Sequence, residues 1–303
     1  MSETDNSGER IAKYLARAGV ASRREVERMI EDGRVKINGK VLDTPAFKVT
    51  GKEAIEVDGN PVEDKPSTRL WRYHKPAGLV TTHRDPEGRD TVFDKLPKDI
   101  GRVISVGRLD LTSEGLLLLT NDGALARALE LPSTAWMRRY RARAFGKIDE
   151  AGVRELERGI TVEGIKYGPM EVEIERETGS NVWLNVGIRE GKNREVRKAL
   201  DAVGLRVNRL IRTAYGPFQL GQLEPGEIKS VPGRVLADQC GHLVDITAPT
   251  GEAVAKKRAP IRKPGARPQR PAAPRPPSRS RQSTAGSRTG GPNTGGPRTG
   301  PRK

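Results

Sequence analysis

The stretch Val106-Gly-Arg-Leu-Asp110-Leu-Thr-Ser-Glu-Gly115-Leu-Leu-Leu-Leu119-Thr-Asn-Asp-Gly123 decides the fold of the larger part of the chain. Its four consecutive leucines are bounded by turn residues, which is typical of a strand buried on both faces. Two glycines bracket the loop before this strand, so Asp110 is predicted to lie on a loop against a sheet core. A carboxylate there needs a nearby cation to stay ionised, and Arg108 is close in sequence. By spacing alone, a loop-capping aspartate is the commoner interpretation.

The flanking sequence, residues 69–245, predicts a larger domain rich in β structure. Apolar alternation and short apolar runs predict its strands, and helical periodicity predicts its helices. Besides the leucine run, strands are expected within 103–106, 140–144, 172–174 and 182–188, and helices within 123–129, 148–156 and 193–203. This order predicts an α+β fold, in which a mixed, mainly antiparallel sheet is flanked by helices.

Residues 9–65 predict a small α/β unit of two helices and short strands. Ser22 is placed to be the N-cap of the second helix, with Glu25 three residues later as in a capping box. Asn38-Gly39 is typical of a two-residue hairpin turn. The stretch 64–68 contains a proline and is interpreted as a linker to the larger domain.

Basic side chains cluster on this small unit. Arg23, Arg24 and Arg28 share the helix face opposite the apolar stripe, and Lys36 precedes the hairpin turn. Charge alone also fits a solvated helix face. Two helices, a basic face and an Asn-Gly hairpin resemble the S4 RNA-binding domain over most of residues 9–60. The resemblance implies that these four side chains bind RNA, mainly through its phosphates and shape.

The formal net charge of +16 lies mostly in the stretch 250–303. Residues 251–303 hold 14 Lys and Arg against one acid, which leaves +3 on residues 1–250. This tail is rich in Pro, Gly, Ser and Arg and has no aromatic residue, so it cannot bury enough apolar area to offset the entropy of folding. We expect it to be disordered, either as a solubilising tail or as an arm that binds polyanion by counterion release.

Composition excludes several classes of protein. A single cysteine, Cys240, rules out a disulfide framework and a cysteine-based zinc site. The three histidines lie far apart without ligand spacing, so no metal is expected. The polar residues 1–10 do not resemble a secretory signal, and the leucine run is far too short to span a membrane. We therefore expect a soluble, cytoplasmic protein with no membrane contact.

The full string 106–123 resembles the catalytic motif of pseudouridine synthases, specifically the ribosomal RNA enzymes that carry an N-terminal S4 domain. The match is long and specific, and it implies that Asp110 is the catalytic carboxylate. His74-Lys-Pro-Ala-Gly-Leu-Val80 resembles the first motif of the family, which is expected to shape the active-site sheet. We assign no catalytic role to Lys75, because a strand that ends in a Pro-Gly turn accounts for this segment.

Ile188-Arg-Glu-Gly-Lys-Asn-Arg-Glu-Val-Arg-Lys-Ala199 resembles the third motif of the family. The resemblance implies that Arg197 pairs with Asp110, whereas charge alone would place Arg197 on the surface. Glu195 and Ala199 stand where the family pattern has Gln and Met. These departures concern the surroundings of the expected ion pair, not the pair itself.

Tyr140 lies among arginines in Arg138-Arg-Tyr-Arg-Ala142, on a predicted strand. A core or edge aromatic is the plain alternative, but a tyrosine in such a setting is well suited to stack on a base. The resemblance implies that Tyr140 stacks on the target base and is the candidate base for the proton at C5. Near Asp110 and in the third motif, further RNA contacts are expected from Arg108, Lys192, Asn193 and Arg194.

The implied activity is isomerisation of a uridine in ribosomal RNA to pseudouridine, in 23S more than in 16S RNA, and the features most resemble the type-B group among the large-subunit enzymes. The isomerisation needs no cofactor, metal or small-molecule partner, and we expect a monomer. A non-catalytic RNA-binding or ribosome-assembly factor is a second interpretation, for which the small unit and the tail would suffice. A glycoside hydrolase is a third, which would need Asp110 and Glu114 on opposite sides of a sugar.

Overall fold

The computed structural model describes residues 8–63, 66–244 and 246. The predicted tail, 250–303, lies outside the described residues, so its disorder stays a prediction. Within the described ranges, no helix is long and apolar enough to cross a membrane.

The small N-terminal unit contains two helices, short antiparallel strands and an apolar core of its own. Its elements are β1 (Glu9–Arg10), α1 (Ile11–Arg17), α2 (Arg23–Glu31), β2 (Val35–Ile37), β3 (Lys40–Val41), β4 (Lys48–Val49), β5 (Ile55–Val57) and β6 (Asn60–Pro61). Ser22 Oγ accepts the N–H of Glu25 at 3.2 Å, so the predicted N-cap of α2 is present. The predicted hairpin is also present, because Asn38 and Gly39 have φ of 49° and 79°, as a type I′ turn requires.

The larger unit is built on one nine-stranded sheet with helices on both sides. Its strands are β7 (Leu70–Lys75), β8 (Ile104–Val106), β9 (Ser113–Thr120), β10 (Arg138–Phe145), β11 (Thr161–Val162), β12 (Ile165–Lys166), β13 (Glu171–Thr178), β14 (Asn181–Ile188), β15 (Arg206–Tyr215), β16 (Phe218–Gln219) and β17 (Ile228–Ser230). Its helices are α3 (Gly123–Glu130), α4 (Glu150–Arg158), α5 (Glu195–Ala202) and α6 (Gly233–Cys240). The main path of the sheet is β13-β14-β10-β15-β9-β7-β17, with β16 on β15 and β8 on β9, while β11 and β12 pair separately. The α+β fold predicted from the sequence is confirmed.

The leucine run forms the middle of β9, and all four leucines are fully buried. Leu117 and Leu119 pack into one apolar cluster with residues of α4 and α5. Leu116 and Leu118 pack into a second cluster with residues of α3 and α6. The prediction of a strand buried on both faces is therefore confirmed. β9 pairs antiparallel with β7 and β8 and parallel with β15, which makes the sheet mixed and mainly antiparallel.

The part of the sheet formed by β10 and β14 is covered mainly on one face. Along β10 the inward positions Arg138, Tyr140, Ala142 and Ala144 are buried, while Arg139, Arg143 and Phe145 are exposed. This alternation is typical of an antiparallel sheet with one solvated face. Tyr140 is therefore directed to the same side of the sheet as α4 and α5.

Gly115 determines how closely two central strands approach. It pairs with Arg212 in the parallel contact between β9 and β15, and its φ is 100°. A Cβ at this position would collide with the backbone of Arg212. Only glycine fits both the conformation and the close approach, so this motif residue places Arg212 next to the loop that bears Asp110.

Candidate active site

A cleft of about 660 Å³ opens beside the loop 107–112, which joins β8 to β9. Its walls come from residues 105–113, 130–140, 188–196 and 210–215. The cleft brings together six of the residues predicted from the sequence: Asp110, Tyr140, Arg108, Lys192, Asn193 and Arg194. Five of these six come from two motifs far apart in the sequence, and sheet pairing brings those motifs together.

The backbone of this loop is held by side chains from neighbouring elements. Glu130, the last residue of α3, accepts the N–H of Gly107 through Oε1 at 2.7 Å. Thr81 Oγ1 donates to the carbonyl of Leu109 at 2.9 Å. The loop is thus positioned through its main chain, which leaves the side chain of Asp110 available for chemistry.

Lys75, to which we gave no catalytic role, also holds this loop by hydrogen bonds to its backbone. Its buried Nζ donates to the carbonyl of Ser113 at 2.8 Å and to that of Leu111 at 3.5 Å. The N–H of Gly78 donates to the carbonyl of Leu111 as well, at 2.8 Å. Burial lowers the pKa of Lys75 from 10.5 to about 8, and the charge of Asp110 opposes that shift. The first motif therefore supports the loop that bears Asp110, and Lys75 itself does not line the cleft.

Asp110 is partly accessible and has one cationic neighbour in contact. Its side chain is 35% exposed, and Oδ2 lies 3.6 Å from Nη1 of Arg194. Arg194 precedes α5 with φ of 52°, a left-handed conformation that directs this residue out of the helix. A loosely paired and accessible carboxylate is suited to react with a substrate.

The expected ion pair between Asp110 and Arg197 is wrong for this structure, because Arg194 makes the contact instead. The guanidinium of Arg197 is occupied by two carbonyls: Nη2 donates to Thr112 at 3.2 Å and Nη1 to Val207 at 3.1 Å. Burial lowers the pKa of Arg197, Arg194 lowers it further, and Asp110 raises it. Arg197 therefore ties the loop that bears Asp110 to β15.

Tyr140 is buried in the apolar cluster and also lines the cleft. Its neighbours across the sheet are Val186 on β14 and Arg212 on β15. The plain interpretation as a core aromatic and the predicted contact with a base are thus compatible. The ring is held by packing in the apolar cluster, and packing of this kind keeps a side chain in one orientation.

Sequence reasoning missed two buried arginines in the wall of the cleft. Arg138 donates through Nη2 to the hydroxyl of Tyr215 at 2.8 Å, and that hydroxyl donates to the carbonyl of Leu129 at 2.9 Å. Arg212 donates through Nε to the carbonyl of Leu116 at 2.7 Å. Their partners lie on strands that are far away in the sequence, so no local sequence pattern indicates these contacts. The one available signal was that Arg138 is in phase with Tyr140 on an alternating strand.

A buried carboxyl group also escaped prediction. Glu195 is almost fully buried, and its Oε2 accepts the backbone N–H of Lys192 at 2.8 Å. Burial raises the pKa of Glu195 from 4.5 to about 7, and the nearby carboxylate of Glu190 adds to the shift. Lys192 Nζ pairs with Glu190 at 2.7 Å. These contacts of Glu195, Lys192 and Glu190 hold the segment before α5 in place, and Arg194 in that segment contacts Asp110.

The basic residues predicted on the small unit do not line the cleft. Arg23, Arg24 and Arg28 are exposed on α2, and Lys36 is half-buried on β2. Arg28 has an ion-pair partner on its own helix, Glu25, at 3.3 Å. Any RNA that these side chains bind must therefore extend beyond the cleft.

Comparison with known proteins agrees with this geometry. Residues 9–55 match the S4 domain family, and residues 69–202 match the family described as RNA pseudouridylate synthase. The chain is 45% identical over 228 residues to an uncharacterized RNA pseudouridine synthase of Rickettsia felis, which covers 75% of this chain and 99% of that protein. It is 45% identical over 218 residues to ribosomal large subunit pseudouridine synthase B of Salmonella typhimurium, over 70% of this chain and 75% of the relative. A solved structure described as a pseudouridylate synthase has the same fold, with a TM-score of 0.55 at 24% identity over 78% of this chain and 99% of that chain.

Proposed function

This chain belongs to the RNA pseudouridylate synthase family, whose members are isomerases, and on that premise we propose that it converts one specific uridine of large-subunit ribosomal RNA to pseudouridine. The choice of the large subunit is supported by the relative named ribosomal large subunit pseudouridine synthase B. One observation carries the chemistry: an accessible carboxylate, Asp110, shares a basic cleft with the aromatic ring of Tyr140.

The reaction breaks the bond between C1′ and N1, turns the uracil, and joins C1′ to C5. The proton on C5 leaves and N1 gains one, so atoms and electrons balance within the nucleotide and no external oxidant or group donor is consumed. Three tasks follow for the protein. It must act on the ribose, hold the detached base while the base turns, and accept the C5 proton.

We assign the first task to Asp110, which either adds to C1′ or removes a proton from C2′. Both routes need the ionised carboxylate, and a neighbouring cation favours that form. Arg194 Nη1 lies 3.6 Å from Oδ2 of Asp110, and the charge of Asp110 raises the pKa of Arg197. The loop is held through its backbone, which leaves the carboxylate of Asp110 available to the ribose.

We assign the other two tasks to Tyr140. Tyr140 stacks on the uracil and takes the C5 proton, directly or through water. The target base must leave its own stack, which costs a few kcal/mol and favours loops and bulges as substrates. Arg108, Lys192 and Asn193 on the rim bind the flanking phosphates, and the basic face of α2 binds RNA farther away.

The test is to map pseudouridines in ribosomal RNA by carbodiimide labelling and primer extension. Cells lacking the gene are compared with cells complemented by the wild type or by Asp110→Ala. The proposal expects one large-subunit stop to vanish on deletion and to return only with the wild type. An unchanged pattern, or rescue by Asp110→Ala, overturns it in favour of a non-catalytic RNA-binding factor. A stop in the small subunit would keep the chemistry and correct the substrate.

A further inference from the structure

A buried ion pair joins the small unit to the larger one. Nη2 of Arg17, the last residue of α1, lies 2.9 Å from Oδ2 of Asp122, which precedes α3. The side chain of Asp122 is 3% exposed and that of Arg17 is 16% exposed. Removing Arg17 leaves the buried carboxylate of Asp122 without its ionic partner, so the contact favours a single arrangement of the two units.

The connecting segment takes part in the same network. Thr68 Oγ1 donates to Oδ2 of Asp122 at 2.8 Å and accepts from Nη2 of Arg17 at 3.0 Å. A second arginine, on the larger unit, also contacts the small unit: Arg102 Nη1 donates to the carbonyl of Ala16 at 3.4 Å. The segment predicted as a linker therefore ends in a buried threonine that closes a three-residue network.

Helix α3 connects this junction to the catalytic loop. At its start, Oδ1 of Asp122 caps the helix by accepting the N–H of Ala124 at 2.8 Å. At its end, Glu130 accepts the N–H of Gly107 at 2.7 Å. The helix has eight residues, so the two contacts are separated by about 12 Å along its axis. One rigid element thus sets the distance between the junction and the loop that bears Asp110.

The RNA-binding face of α2 begins at the same junction. Nη2 of Arg23 lies 3.8 Å from the place that a Cβ on Gly123 would occupy. Gly123 is the first residue of α3. The basic face therefore meets one end of α3, while the cleft opens at the other end.

We propose that Arg17 and Asp122 are positioning residues for substrate selection. They fix the basic face of α2 relative to the cleft, so that RNA gripped by α2 presents only a uridine at the matching distance to Asp110. This inference rests on the proposed function, and it concerns which uridine is chosen rather than the chemistry at that uridine. Neither residue touches the substrate; both act through the placement of the small unit.

The test compares two transcripts that carry the uridine mapped above. The short transcript is the stem-loop that enters the cleft, and the long transcript adds the adjoining helix that reaches α2. Arg17→Met and Asp122→Asn remove the charges, and asparagine retains an oxygen that can cap α3. We expect KM for the long transcript to rise ~10-fold with kcat unchanged, which corresponds to about 1.4 kcal/mol of lost positioning. Both constants for the short transcript should stay at the wild-type values.

The matched control is the exposed ion pair of Arg34 and Asp58, which lies entirely within the small unit, with Nη2 and Oδ2 2.7 Å apart. Arg34→Met and Asp58→Asn make the same chemical changes and should leave KM for both transcripts unchanged. The double variant of Arg17 and Asp122 should be no worse than either single variant, because the residues act as one unit.

A rise in KM confined to the long transcript supports the inference. An unchanged KM, or an equal loss on both transcripts, overturns it, because the first shows no positioning and the second shows only a damaged fold. Should the wild type modify neither transcript, the proposed function itself fails, so the two failures are distinguishable.

Discussion

Two aspartates of the same motif string, Asp110 and Asp122, have opposite surroundings. Asp110 is 35% exposed and has one ionic contact, at 3.6 Å. Asp122 is 3% exposed and has three close partners, the N–H of Ala124, Thr68 Oγ1 and Arg17, at 2.8, 2.8 and 2.9 Å. A buried carboxylate with three close partners is committed to structure, whereas a loosely paired one on a well-held loop can meet a substrate. The comparison teaches that the number of close partners of the carboxylate, not its place in the motif, separates a structural aspartate from one that is available to a substrate.

The largest expected effect is on Asp110. Asp110→Asn should lower kcat about 10³-fold, because the amide can neither attack nor remove a proton. The free energy of unfolding should change by less than about 0.5 kcal/mol, since the side chain is not buried. Release of tritium from RNA labelled at C5 measures the first quantity, and urea unfolding measures the second.

Asp201→Asn is the control for that experiment, because Asp201 is an exposed aspartate on α5 outside the cleft. It should leave both quantities unchanged. If Asp110→Asn retained a tenth or more of the activity, the catalytic half of the comparison would fail. A large loss of stability in that variant would make Asp110 a structural residue as well.

The second effect is the converse, on Asp122. Asp122→Ala should cost about 3 kcal/mol of unfolding free energy, because it breaks a buried pair and removes the cap of α3. Asp122→Asn should cost less, because it retains an acceptor for the N–H of Ala124. Midpoints of urea unfolding at constant slope give both values. Equal losses for the two variants would mean that the cap contributes nothing, and a loss below about 0.5 kcal/mol for alanine would erase the contrast with Asp110.

Local chemistry made much of the fold predictable. The leucine run predicted a fully buried strand, Ser22 predicted a helix start, and Asn38-Gly39 predicted a hairpin, and each prediction is confirmed. Periodicity and turn chemistry act over a few residues, so they can be read without knowing the fold.

Contacts between distant segments could not be predicted in this way. Arg194 takes the place beside Asp110 that was expected for Arg197. This depends on a left-handed residue before α5 and on carbonyls of the loop 107–112 and of β15 that bind Arg197. The network of Arg17, Thr68 and Asp122 joins residues more than 50 positions apart. The motif resemblance named the participants of the site but not their pairing, because pairing is decided by packing.

The third effect concerns how Asp110 is held. Lys75→Met should lower kcat about 10-fold, because the carbonyls of Leu111 and Ser113 lose their shared donor and the loop shifts. The pKa of Lys75 is lowered in the folded state to about 8 from 10.5. Between these values the unfolded chain binds more protons than the folded one, so this residue makes stability rise with pH.

Unfolding curves at about pH 8 and about pH 10 isolate that contribution. The wild type should gain stability over this interval relative to Lys75→Met, and the difference should level off below about pH 7. If the difference in unfolding free energy between the wild type and Lys75→Met were independent of pH, burial would not destabilise the charged ammonium of Lys75. An unchanged kcat would show that the loop is held well enough by its other contacts.

The smallest effect tests which property of Asp122 matters, its burial or its partners. Glu195 is as well buried as Asp122, but its Oε1 has no hydrogen-bond partner among the described residues. Burial raises its pKa to about 7 from 4.5, so the folded state binds more protons between these values and stability falls as pH rises through them. Glu195→Gln removes that penalty. The variant should be about 1 kcal/mol more stable than the wild type at about pH 8, and the two should converge below about pH 4.5.

Glu163→Gln provides a control of opposite sign. Glu163 is an exposed acid whose pKa is lowered by its hydrogen bond to Lys198, at 2.6 Å. Its contribution to stability is present above about pH 4.5 and is lost as pH falls, so this variant should lose a little stability at about pH 8. If Glu195→Gln lost stability in the same way, burial alone would suffice to make a carboxylate stabilising. A gain for Glu195→Gln beside a loss for Asp122→Asn would show that complete hydrogen bonding is what makes a buried carboxylate structural.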